Sequence, residues 1–253
     1  MFRGQRITVV MPCHNEEEGV RAVIEKMPPE VDEILVVDNA STDRTTEVAT
    51  ALGARVVYEG RKGYGRAYRT GFEQARGDII VTMDGDGTYP PESIPLLLHV
   101  LCEENVDFMT ARRWRSKSGE DKSPIRLLGN FILSAMTMTL FWRLIIDSQS
   151  GMWVFKRSIF DKIRPMSDGM ALSEEIKILA FSHPDVRCME MPIYYGDRVG
   201  ESKLNIWRDG FQNLFFLVGL RATLGRRLRT GALTPFPRPS EEPTVQRASS
   251  HGA

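Results

Sequence analysis

Four short strand-like runs, Ile7 to Met11, Ile34 to Val37, Arg55 to Tyr58 and Ile79 to Met83, alternate with helix-like stretches of roughly ten to fifteen residues. Runs that are continuously apolar are buried on both faces, so helices must cover both sides of a mainly parallel central sheet, an α/β fold. Ligands of such sheets collect at the C-terminal ends of the strands. Three of the runs end there in polar clusters: Cys13-His14-Asn15-Glu16, then Asp38-Asn39-Ala40-Ser41-Thr42-Asp43, then Asp84-Gly85-Asp86-Gly87-Thr88. One rim therefore gathers the chemistry.

The remaining chain reads less regularly. Val106 to Thr110 is expected to be a further strand, and Arg112-Arg113-Trp114-Arg115 onward to Pro124 a mobile loop. Arg126 to Ile146 is expected to be a helix, apolar except for a stripe of Arg126, Asn130, Ser134 and Thr137. A second amphipathic stretch, Leu204 to Leu224, places Trp207, Phe211, Leu214, Phe215 and Val218 on one face and runs into Arg221, Arg226, Arg227 and Arg229. Apolar surface flanked by cations suits an anionic membrane surface, and a homo-oligomer interface or a membrane partner subunit is its competing use. Residues 230–253, rich in Pro, Ser and Glu, are expected to be disordered, leaving one domain over residues 1–229.

Composition excludes several classes. At 253 residues with 42% hydrophobic and 26% charged residues, the chain is neither disordered throughout nor a disulfide scaffold. Its formal net charge of zero argues against nucleic-acid binding. Three scattered cysteines fit reduced thiols and a cytosolic address, and neither an export signal nor a clean membrane span is read. His14 and His183 lack a second histidine at metal spacing and receive no role.

Asp84-Gly85-Asp86 is the most informative tract. Two carboxylates on a tight turn after a buried strand suit Mg²⁺ or Mn²⁺ bound to a diphosphate, and a bare turn or a calcium-loop fragment is the alternative on these residues alone.

The clusters together resemble the family 2 nucleotide-sugar glycosyltransferases of the GT-A fold, in particular the polyprenyl-phosphate (dolichyl-phosphate) mannose and glucose synthases. VVMPCHNEE resembles the first-strand motif, and LVVDNASTDRT the nucleoside-binding turn. RKGYGRAYRTGFEQARGDIIVTMDGDGTYPPESI leads through the metal carboxylates; DSQSGMWVF and RVGESKLN resemble acceptor-side motifs. The likeness spans most of residues 7 to 205.

The resemblance implies a nucleotide-sugar site at Pro12, Asn15, Glu16, Asp38, Asn39, Lys62, Asp84 and Gly85, with Asp38 on the base or ribose. Asn39 stands where many relatives carry a second Asp. Asp84, Asp86 and Thr88 would meet the metal, Thr88 replacing a glutamine of mannose-transferring relatives. Arg112, Arg126, Asn130, Ser202 and Lys203 would hold an acceptor phosphate, and Asp86, Arg126, Arg198 and Glu175 would be catalytic. The implied reaction is inverting transfer of a hexose, mannose or glucose, from a GDP- or UDP-sugar to a polyprenyl or dolichyl phosphate. Its expected place is the cytoplasmic membrane face, where the protein would be peripheral. Transfer to a sugar or small-molecule hydroxyl, with Glu174 or Glu175 as base, is the alternative enzyme. A nucleotide-sugar-binding protein without turnover and a nucleotidyltransferase are the other classes, and no lysine-terminated phosphate loop follows the first strand.

Overall fold

A computed structural model of the chain describes residues 1–116, 124–199 and 206–231. Side chains at 115–116, 124–127, 206–209 and 230–231 lie outside that description. In chain order the elements are β1 (Ile7–Cys13), α1 (Glu17–Ile24), β2 (Glu33–Asp38), α2 (Thr45–Ala51), β3 (Arg55–Tyr58), α3 (Tyr64–Gln74) and β4 (Ile79–Thr82). They continue with α4 (Ile94–Glu103), β5 (Phe108–Ser116), α5 (Pro124–Phe141), β6 (Trp153–Lys156), α6 (Leu172–Ser182), β7 (Cys188–Tyr195) and α7 (Ile206–Gly231).

The strands form one seven-stranded sheet in the order β3-β2-β1-β4-β6-β5-β7. Only β6 runs antiparallel to its neighbours. Alternation along β1 shows why the run is unbroken in sequence. Val9 and Met11 pack with α1, α2 and α4 on one face, whereas Val10 packs with α3 and α6 on the other. Because β1 pairs β2 on one side and β4 on the other, their C-terminal ends flank the crevice where the winding of the sheet reverses. A third cluster, Leu133 and Phe141 of α5 with Ile178 of α6 and Leu217 and Leu220 of α7, fastens a helical layer to the sheet.

Two sequence expectations need correction, and two strands are added. Arg112 to Ser116 do not begin a loop: they extend β5 and pair in parallel with Pro192–Tyr195 across a bulge. Burial of Arg113 against Asp147 makes that charged run compatible with a strand. The helix from 126 stops at Phe141 rather than Ile146, because Trp142 takes a left-handed φ of 55°. Beyond it, Ile146 and Asp147 donate their N–H groups to the Glu190 carboxylate at 2.9 Å each, and Ile145 returns to the core. Finally, β6 and β7 are strands that the sequence reading did not assign. The disordered tail expected from 230 lies almost wholly outside the described residues.

Candidate active site

The crevice between β1, β2 and β4 opens as a cleft of about 330 Å³. Pro12 and Cys13 end β1, His14 and Glu16 follow it, Asn39 follows β2, Lys62 and Gly63 precede α3, and Asp84, Gly85 and Asp86 follow β4. Met170 and Arg198 complete the wall. The polar tracts legible in the sequence thus converge, with two exceptions among the nucleoside residues that the lining omits.

Asp38 and Asn15 turn inward to tie the loops together. Asp38 accepts from Ser41 N–H and the Thr46 hydroxyl, both at 3.0 Å. Asn15 Oδ1 accepts Thr42 N–H at 2.7 Å, and Asn15 N–H donates to Ser41 Oγ at 3.0 Å. Asn39, although at the cleft, spends its amide on the chain ahead of α3. Its Nδ2 donates to the carbonyls of Glu59 (2.9 Å) and Arg61 (2.8 Å), and its Oδ1 accepts Gly63 N–H at 2.8 Å. A carboxylate cannot make the two donations.

At the floor, Asp86 Oδ1 accepts Thr88 N–H (2.9 Å) and the Thr88 hydroxyl (2.6 Å), while Oδ2 pairs with Arg198 at 2.5 Å. Thr88, expected as a metal ligand, therefore orients Asp86. Arg198 also stands 4.0 Å from Glu16. Asp84 is half-buried and accepts a long hydrogen bond from the Tyr68 hydroxyl at 3.5 Å. Burial, then the neighbouring Asp86 charge, pushes its pKa up to about 7 against the pull of Arg198 and Arg113. A carboxylate in that condition is one a hard cation would relieve. No cluster of three or more His, Cys, Asp or Glu side chains able to hold a metal occurs among the described residues. The donor set of Asp84 and Asp86, leaving other positions to diphosphate and water, fits Mg²⁺ or Mn²⁺.

The acceptor-side residues divide. Arg112 stacks over Trp114 at 5.0 Å and Asn130 is half-buried on α5; neither lines the cleft. The side chain of Arg126, and Ser202 and Lys203 entirely, lie outside the described residues. Glu175 is fully buried and does not line the cleft. Its Oε2 accepts Met166 N–H (3.0 Å) and Ser167 N–H (2.7 Å), and Oε1 pairs with Arg227. Glu174 is also fully buried, beside Gln149, and burial pushes its pKa up to about 8.

Sequence reasoning passed over several contributors. His14 Nε2 lies 3.4 Å from Lys62 Nζ at the cleft. Arg113, rather than its neighbour Arg112, forms a two-point ion pair with Asp147; burial would raise the Asp147 pKa, yet Arg113 holds it well below the usual carboxylate range. Lys177 is fully buried, and burial lowers its pKa to about 7; it donates to the carbonyls of Asp147 (2.9 Å) and Ser148 (2.8 Å), fixing the segment that brings Gly151 beside Asp84. An Arg three residues beyond the expected strand Val106 to Thr110 carries no local sign of such burial.

The model for glycosyl transferase family 2 matches residues 8–164. The chain belongs to glycosyl transferase family 2. Within family 2 it is 33% identical over 219 residues to the low-salt glycan biosynthesis hexosyltransferase Agl6 of Haloferax volcanii, covering 84% of this chain and 53% of that protein. The chain thus spans about half the length of that relative. It is 30% identical over 210 residues to a dolichyl-phosphate hexose transferase of the same organism, covering 81% of this chain and 89% of the relative. Among solved structures, glucosyl-3-phosphoglycerate synthase from Mycobacterium tuberculosis with UDP superimposes with a TM-score of 0.71 at 24% identity, covering 87% of this chain and 81% of that one. That likeness carries the GT-A fold of family 2. The same synthase has also been crystallised with Mn²⁺ and UDP-glucose.

Proposed function

We propose that this chain transfers a hexose, with inversion, from a nucleotide diphosphate sugar to a polyprenyl phosphate at the cytoplasmic face of a membrane. The observation that carries the reading is the grouping of Asp84, Asp86 and Arg198 at the cleft floor, with Arg198 paired to Asp86, while both candidate bases, Glu174 and Glu175, are turned into the protein. A hydroxyl acceptor needs a base to take its proton. A phosphate monoester is already largely dianionic at neutral pH and needs none. The names of the relatives, dolichyl-phosphate hexose transferase and undecaprenyl-phosphate 4-deoxy-4-formamido-L-arabinose transferase, point to the same acceptor class.

In this mechanism Asp84 and Asp86 would hold a divalent cation, which when bound would supply neutralisation of charge on the departing nucleoside diphosphate. Thr88 keeps Asp86 aimed, and Arg198 moves from Asp86 and Glu16 to the diphosphate oxygens. An acceptor phosphate oxygen, for which Arg126, Ser202 and Lys203 remain the cations and donor assigned from the sequence, attacks the anomeric carbon. The carbon–oxygen bond to the diphosphate breaks, and the leaving group takes the electron pair. Pro12, Glu16 and Lys62 border the nucleotide, with Asn15, Asp38 and Asn39 supporting its walls.

Membrane seating follows from the helical layer. Phe131 of α5, Trp142 just beyond it, and Phe215 of α7 are 68%, 83% and 74% exposed, with Leu128, Ile132, Phe211 and Val218 also outward. Arg221, Arg226 and Arg229 follow on α7. No helix among the described residues is long and apolar enough to cross a membrane, so an interfacial position fits the exposed face.

The test incubates the protein with Mn²⁺ or Mg²⁺, a panel of labelled GDP- and UDP-hexoses, and undecaprenyl or dolichyl phosphate in vesicles. Labelled organic-soluble product that Asp86→Ala abolishes is expected. Transfer only to sugar hydroxyls would overturn the acceptor assignment.

A further inference from the structure

Part of the cleft wall is a stretch without regular secondary structure, residues 166–170, which contributes Met170. Its hold on α3 is close and polar. Arg69 donates to Met166 O (2.8 Å) and Asp168 Oδ1 (2.7 Å), Arg66 N–H donates to Asp168 O at 2.9 Å, and a Cβ on Gly65 would stand 2.3 Å from Ser167 O. From behind, the Glu175 carboxylate accepts the N–H groups of Met166 and Ser167 and is closed by Arg227 of α7. A fully buried carboxylate is tolerated only with partners of this kind, and losing one strands the others. The contacts place Glu175 between α7 and the cleft wall, with no oxygen left to approach an acceptor.

We propose that Glu175 is a positioning residue: with Arg227 it latches segment 166–170 against α3 and so fixes one wall of the donor cleft, a role that rests on reading this cleft as the nucleotide-sugar site. The latch ties α7, which carries the exposed Phe211, Phe215 and Val218, to donor binding.

Calorimetric titration of Mn²⁺ with GDP or UDP into the full chain tests it, alongside steady-state kinetics. Glu175→Ala and Arg227→Met each weaken nucleotide binding about tenfold, the size expected for losing hydrogen bonds to a charged group. The double variant is little worse than either single one, since both break one unit. Glu175→Gln, whose amide oxygen still accepts the two N–H groups, recovers part of the lost affinity. If Glu175→Ala fails to fold, Arg227→Met carries the test, with thermal melting recorded for each. Wild-type protein that binds while both variants bind equally well overturns the latch alone. A Glu175→Gln enzyme with unchanged donor KM and the same collapse in kcat as Glu175→Ala overturns it in favour of a base. Wild-type protein that binds neither nucleotide overturns the donor-cleft reading and the latch with it.

Discussion

Gly19 offers a severe test of the carboxylate turn, because it lies on α1 and touches no ligand in the proposed mechanism. A Cβ built there would sit 2.4 Å from Gly85 O and 3.0 Å from Asp86 Cα, both backbone atoms of the turn that presents the metal carboxylates. Ordinary contact begins near 3.4 Å, so in Gly19→Ala either α1 or the turn must move by about 1 Å. Alanine is the better helix former by about 0.5–1 kcal/mol, whereas overpacking a tight interface costs about 1–3 kcal/mol. The net expectation is a folded protein less stable by about 1–2 kcal/mol. Function should suffer more than stability, since a misplacement of about 1 Å at reacting groups costs on the order of 10²-fold in rate. Urea denaturation gives the first quantity; Mn²⁺-dependent transfer and Mn²⁺ affinity give the second. Glu18→Ala, at the exposed neighbouring position, controls for the helix and leaves both unchanged. A Gly19→Ala protein that gains about 1 kcal/mol from helix propensity and keeps wild-type metal affinity would refute the reasoning.

Other perturbations report on separate parts of the site. Because Asp84 holds its proton up to about pH 7, metal must displace that proton, and the half-saturating Mn²⁺ concentration rises about tenfold per pH unit below 7 and levels off above it. Glu174 has a folded pKa of about 8, above its unfolded value, so its contribution to stability declines as pH rises from about 4 to 8. Glu174→Gln removes that decline: urea denaturation finds the variant near wild type at about pH 4 and more stable by roughly 1–3 kcal/mol at about pH 8. Asn39→Asp, nominally the residue of many relatives, sets a carboxylate against the carbonyls of Glu59 and Arg61. It lowers stability by about 1–3 kcal/mol and weakens nucleotide binding in calorimetry, because the loop before α3 loses its staple.

Legibility in the sequence followed the range of the interactions. The strand cores up to β4 and the clusters behind β1, β2 and β4 were readable because burial on both faces and strand-end polarity are local properties. The strand character of Arg112 to Ser116 was not, since it depends on Asp147, thirty-four residues beyond Arg113, and on pairing with β7. The same limit applied to Glu175: two adjacent glutamates on a helix look alike until Met166, Ser167 and Arg227 are in place. Asp38 differs. Its bond to Ser41 N–H spans three residues, and an Asp ahead of Ser-Thr-Asp is a local signal for a side chain capping its own turn. The residue types for a diphosphate site were therefore plain, while the division between groups that face the ligand and groups that hold the loops was mostly tertiary.

Charge balance at the cleft leads to a last prediction. Asp84, Asp86 and Glu16 gather there with Arg198 and Lys62 as the cations of the lining. Arg198 is committed to Asp86 and Glu16. A nucleoside diphosphate entering beside two carboxylates meets repulsion of about 4 kcal/mol for each unit-charge pair at 4 Å and an effective dielectric of 20. Protonation of Asp84 or transfer of Arg198 to the diphosphate offsets one such pair, not both, because freeing Arg198 exposes Asp86. A divalent cation held by Asp84 and Asp86 would reverse the sign of the whole arrangement. Removal of metal with EDTA at pH 8 should therefore weaken GDP or UDP binding by at least about 10²-fold, measured by calorimetry. At pH 6, where Asp84 is mostly protonated, the metal-free loss is smaller. Nucleotide that binds equally well with and without Mn²⁺ at pH 8 would mean that Asp84 and Asp86 do not face the diphosphate.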